Sequence, residues 1–127
     1  MPPEFIQAKG LRHAPTYTPT VKAGNTVYIA GMTAVTDSGE IVGSGDPAAQ
    51  TRQVLENMRL ALQAAGADFG NVVKLTVFIT DPRFRESVGQ VRSDYFRDPK
   101  PASTLVVCAG LADPAFLVEI EAIAVLD

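Results

Sequence analysis

Residues 116–126 read Phe-Leu-Val-Glu-Ile-Glu-Ala-Ile-Ala-Val-Leu, and this run decides the architecture. Strand alternation puts Leu117, Glu119, Glu121, Ile123 and Val125 on one face, and Phe116, Val118, Ile120, Ala122, Ala124 and Leu126 on the other. Both faces carry apolar side chains, the pattern of a strand covered on both sides. Working outward, residues 72–80, VVKLTVFIT, read as a second strand. Val73, Leu75, Val77 and Ile79 share one of its faces, and Lys74, Thr76, Phe78 and Thr80 the other. Thr104 to Leu111 reads as a third strand. Thr26 to Val35, TVYIAGMTAV, is rich in β-branched residues and reads as a fourth. Asp37-Ser38-Gly39 supplies turn chemistry after it, so that Glu40 to Val42 can pair back as a hairpin.

Two helices fall between these strands. Asp46 is placed to cap the first, Pro47 fits its opening turn and Gly66 fits the position just past its end. Between them Val54, Leu55, Met58, Leu62 and Ala65 recur at spacings of three and four, with Arg52, Glu56, Arg59 and Gln63 mainly opposite. Asp81-Pro82 repeats the cap-and-proline signal, and Phe84, Val88, Val91 and Tyr95 mark a second apolar stripe. Pro99 and Pro101 end that helical region. Strands, helix, strand, helix and two strands make an α+β domain in which two helices cover one face of a mixed sheet. The other face then needs cover from a second copy of the chain.

Composition narrows the function classes. A chain of 127 residues fits one domain spanning 1–127. The net charge is −3 and no basic cluster occurs, which argues against nucleic acid as a partner. Cys108 is the one cysteine and His13 the one histidine, so neither a disulfide nor a metal site is expected. The opening MPPEFIQAKGLRH has no apolar core of a signal peptide, and no apolar run approaches a membrane span. A cytoplasmic protein with no membrane partner is the expectation.

Several stretches together resemble the RidA family, the YjgF-type reactive intermediate deaminases. They are Gly24-Asn25 followed by VYIAG at 27–31, AAQTRQVLENM at 48–58, AAGADFGNVVKLTVFITD at 64–81, Pro101-Ala102, and VEIEAIAV at 118–125. The resemblance runs from residue 15 to residue 126. It implies a chorismate-mutase-like α+β fold, assembled as a homotrimer around a central barrel with a cleft between each pair of subunits. It also implies cofactor-independent hydrolysis of 2-imino acids, or their enamine tautomers, to 2-oxo acids and ammonia.

The same resemblance points to residues. It implies that Tyr17 and the backbone at Ala30 and Gly31 line the cleft, and that Glu119 positions the attacking water. It also marks a departure. Where the family runs Pro-Ala-Arg-Ser, this chain runs Pro101-Ala102-Ser103-Thr104. A serine hydroxyl is short and uncharged and cannot reproduce a bidentate guanidinium clamp on a carboxylate. Ala30, Gly89 and Leu105 stand where serine, asparagine and cysteine or threonine are common. Tyr17, Ala30, Gly31, Ser103, Thr104 and Leu105 are therefore the candidate substrate-binding residues and Glu119 the candidate catalytic one. The expected ligand is a reactive imine, enamine or related small carbonyl compound other than a standard 2-imino acid. The alternative is a trimeric small-molecule-binding protein without catalysis. Arg83, Arg85, Arg92 and Arg97 read as the solvated side of the second helix. One of them, Lys22 or Lys100 would have to supply any displaced clamp.

Overall fold

The computed structural model describes residues 2–127. Six strands form one sheet in the order β1-β2-β3-β6-β4-β5. They are β1 (Glu4–Ile6), β2 (Thr20–Ala23), β3 (Thr26–Met32), β4 (Val72–Ile79), β5 (Ala102–Val107) and β6 (Val118–Val125). Strands β4 and β5 run parallel, and every other neighbouring pair is antiparallel. Helices α1 (Pro47–Gln63) and α2 (Arg85–Ser93) lie on one face. The α+β class, the mixed sheet and the two covering helices are those the patterning implied.

Helix α1 forms where its caps dictate. The Asp46 carboxylate accepts from the Ala49 N–H at 3.1 Å, and past the last turn Gly66 sits at φ +78°. Its stripe of Val54, Leu55, Met58, Ala61 and Leu62 is completely buried, as are Val27, Leu75, Val77, Ile79, Val118 and Ile120 of the sheet. Each such side chain contributes roughly 1.5–3 kcal/mol by leaving water. The opposite face of the sheet carries no helix. Cross-strand pairing lines up Phe5, Val21, Tyr28 and Ile123 there, and Phe5 and Tyr28 are exposed.

Several boundaries differ from the sequence expectation. Strand β3 stops at Met32, and the hairpin shrinks to one Val35–Ile41 bridge. The bridge is closed by the Thr36 N–H donating to the Glu40 carbonyl and the Val42 N–H to the Ala34 carbonyl, both at 2.9 Å, while the Thr33 and Val35 carbonyls accept from Asn57 of α1 at 2.9 and 2.8 Å. Strand β5 is shifted to 102–107, because its parallel register runs from Lys74–Ala102 to Ile79–Val107. Gly110 and Asp113-Pro114 then hold the chain in a loop up to Leu117. In β4 a bulge at Val73 turns that residue outward, leaving it 47% exposed while Val72 enters the core. Helix α2 is preceded by a 3₁₀ turn, Pro82–Phe84, capped by Asp81. Phe84 and Tyr95 therefore extend the stripe from outside the helix.

Candidate functional site

A cavity of about 650 Å³ opens where β3 and β6 meet the loop before β2. Its geometry begins with a bulge. Ile29 pairs with Ala122 and Met32 with Ile120, so Ala30 and Gly31 are left out of regular register. The Ala30 N–H donates instead to the Pro19 carbonyl at 2.9 Å, which ties the β3 bend to the loop. Gly31 matters for its missing side chain: a Cβ there would collide with the Glu119 carboxylate. Glu119 therefore reaches across the strand boundary and lies on bare backbone.

That carboxylate is half-buried without a cation. Among the described residues no Lys, Arg or His lies within ion-pair distance of Glu119. Burial raises its pKa above the usual carboxylate range, and the neighbouring Glu121 charge raises it further. Glu119 and Glu121 line the same wall, as alternation along β6 requires. The far wall holds Tyr17, exposed at the mouth, with Arg12 and His13. Among the described residues no group of three or more His, Cys, Asp or Glu side chains gathers that would hold a metal ion.

Two buried amides hold the walls in place, and the sequence reading singled out neither. Gln50 donates to the carbonyls of Gly43 and Ala115 at 3.2 and 2.8 Å and accepts from the Leu117 N–H at 2.8 Å. It thereby fixes the loop that carries Phe116 into the cavity. Asn57, which also lines the cavity, fixes residues 33–35 as described and accepts from Gln53 at 2.9 Å. Polar residues inside an otherwise apolar helical stripe were the available signal, since a buried amide must find partners.

One chain brings together Tyr17, Ala30, Gly31 and Glu119, but not Ser103, Thr104 and Leu105. Those three lie on the edge strand β5, two strands from β6. Thr104 faces the open side of the sheet, where its hydroxyl accepts from Lys74 Nζ at 2.6 Å. Ser103 is paired with Leu75 and Leu105 with Val77, on the helix side. The Ser103 hydroxyl accepts from Arg92 Nη2 at 2.8 Å. Arg92 is thus not on a fully solvated helix face: it is half-buried and turned back onto β5.

Comparison with known proteins agrees with this geometry. The family profile described as Endoribonuclease L-PSP matches residues 8–126. The crystal structure of RidA from an Antarctic Psychrobacter superimposes with a TM-score of 0.90 at 34% identity, covering 97% of this chain and 99% of that one. The chain belongs to the RidA/YjgF family. A RutC family protein of Pyrococcus horikoshii is 42% identical over 109 residues, 85% of either protein. The 3-aminoacrylate deaminase RutC of Acinetobacter baylyi is 36% identical over 126 residues, 98% of either protein. The RidA-type α+β fold that the resemblance implied is the one observed. No helix among the described residues is long and apolar enough to cross a membrane.

Proposed function

We propose that this RidA-family chain is a cofactor-independent, deaminase-type hydrolase of a reactive imine or enamine, or of a related small carbonyl compound, other than a standard 2-imino acid. The observation that carries the reading is Glu119, a half-buried carboxylate without a cation, held over Gly31 inside the cavity of about 650 Å³. A raised pKa suits a group that takes a proton from water and gives it back near neutral pH. Glu119 holds the water and accepts its proton as the oxygen bonds to the imine carbon. That proton passes to nitrogen to give a carbinolamine; Glu119 then takes the hydroxyl proton and returns it to nitrogen as the C–N bond breaks, and ammonia leaves a carbonyl product. An enamine first gains a proton at carbon to become the imine. Tyr17 and the backbone at Ala30 and Gly31 orient the substrate.

In this reading the working unit is a cytoplasmic homotrimer around a central barrel. The row of Phe5, Val21, Tyr28 and Ile123 on the face without helices, exposed at Phe5 and Tyr28, supports it, as does the separation of β5 from the Glu119 cavity within one chain. Ser103, Thr104 and Leu105 reach the cleft from a second copy. Light scattering at low micromolar concentration should give about three times 13.5 kDa, and a stable monomer would contradict the assembly. Although the family profile is described as an endoribonuclease, the net charge of −3 and two carboxylates on one cavity wall disfavour a polyanion. The test is ammonia release from imines and enamines generated in situ, compared between the native chain and Glu119→Gln. Turnover that disappears in a folded Glu119→Gln supports the enzyme. Binding of small carbonyl compounds without turnover of any of them leaves a non-catalytic binding protein.

A further inference from the structure

The cavity between α2 and the start of β5 has the chemistry of a site. It measures about 230 Å³ and has Leu75, Phe96 and Pro101 as its apolar lining. Arg92 enters it from α2. Its Nη2 is fixed by the Ser103 hydroxyl at 2.8 Å, while its Nε–H is buried without a hydrogen-bond partner. Among the described residues no carboxylate lies within 4.0 Å of this guanidinium. Of the other arginines, Arg52, Arg59 and Arg83 each hold a carboxylate. Burial lowers the Arg92 pKa, so its surroundings disfavour the charge as they stand. Its place in the last turn of α2 would favour a cation there, but a side chain left in water would serve that purpose. Gly89 leaves open space beside it: a Cβ there would meet nothing within 4 Å.

A desolvated guanidinium with an unmet donor, on an apolar floor beside empty space, lacks an anion. We propose that Arg92 binds the carboxylate of a small, partly apolar organic acid in this cavity, with Ser103 positioning the guanidinium. The guanidinium fork matches a carboxylate, and the Nε–H supplies the donor that the protein leaves unused. Lys100 lies at the rim, already paired with Asp98 at 3.1 Å, and adds positive potential. The binding stands without the deaminase reading. Its extension rests on that reading: joined by a second copy to the Glu119 cavity, the site makes the substrate a carboxylate-bearing imine or enamine gripped from the helix rather than from β5.

Sodium 2-oxobutanoate is the probe, with 2-butanone as its uncharged counterpart. The readout is the side-chain Nε–H resonance of Arg92 in the native protein. The resonance should move with 2-oxobutanoate and stay with 2-butanone. Calorimetry should show affinity falling about ten- to a hundred-fold in Arg92→Gln and less in Arg92→Lys. Arg83→Gln, whose side chain pairs only with Asp81, should bind like the native chain. A stationary Arg92 resonance, or unchanged affinity in Arg92→Gln, overturns the site. Equal affinity for inorganic phosphate overturns the assignment to a carboxylate. An Arg92→Gln chain that dissociates, with no shift at Arg92 in the native protein, makes Arg92 a subunit contact instead. Imine turnover without a shift at Arg92 sinks this site alone, whereas a shift without any turnover sinks the deaminase reading alone.

Discussion

Glu119 and Arg92 sit at two ends of the same problem. One is a half-buried carboxylate with no cation; the other is a half-buried guanidinium with no anion. Most other unpaired charges of the chain are exposed, and its ion pairs, such as Arg52–Asp94 at 3.2 Å and Arg83–Asp81 at 2.7 Å, lie at the surface. Those exposed pairs are worth little to the fold. The two unpaired charges are costly to bury, and neither is used to close the protein's own core. The difference lies in burial: the surface charges are met by water or by each other, whereas these two are half-buried with neither an ion-pair partner nor full solvent.

The largest effect that could break this contrast is at Glu119. Glu119→Gln keeps the shape and should lower turnover by about 10²- to 10⁴-fold. It should not lower the melting temperature at neutral pH. The sign follows from the raised pKa: the folded state holds the Glu119 proton more tightly than an unfolded carboxyl near 4.5 does. Stability tied to the protonated form is full below that value and is lost as pH rises through the folded pKa. The variant escapes that loss, so its melting temperature relative to the native chain should rise as pH climbs above about 4.5. Early melting of Glu119→Gln would instead reveal a buried ion pair with another subunit.

A smaller effect is expected at Gly31. In Gly31→Ala the new methyl displaces the Glu119 carboxylate, which is the flexible end of a side chain, so the fold survives. Misplacing the catalytic group by about 1 Å should cost up to about a hundred-fold in kcat. Native-like turnover would show that the carboxylate need not lie over bare backbone. Asn57→Ala sharpens the comparison from the structural side. It leaves the Val35 carbonyl without its Asn57 donor, removes one of two donors from the Thr33 carbonyl, and should cost about 1–3 kcal/mol in urea denaturation. The smallest effect belongs to the paired surface: Arg83→Gln should stay within about 0.5 kcal/mol of the native stability.

What was legible in the sequence follows the same division. Helix α1, β4 and β6 were readable because capping and periodicity are local signals, and the family resemblance placed Glu119. Strands β1 and β2 were not read: three and four residues are too few to show a period. The bulges at Val73 and at Ala30-Gly31 are set by pairing with β6, which no single strand's alternation reveals. The hairpin after β3 keeps only two backbone hydrogen bonds, and the Asn57 contacts to the Thr33 and Val35 carbonyls come from a different element that no local pattern reveals. Arg92 belongs to the same class. Its helix alone makes it a surface residue, and only the packing of α2 against β5 turns it onto Ser103.

The central claim is that the two unpaired charges serve one cleft formed between copies. Mixing Glu119→Gln with Arg92→Gln, unfolding and refolding them together, and assaying imine turnover tests it directly. Some clefts in the mixed oligomer then combine a native Glu119 from one copy with a native Arg92 from the next. The account predicts recovery of about a quarter of the native rate from two parents that are each impaired. A mixture no more active than its parents, from chains shown to have exchanged subunits, would contradict it.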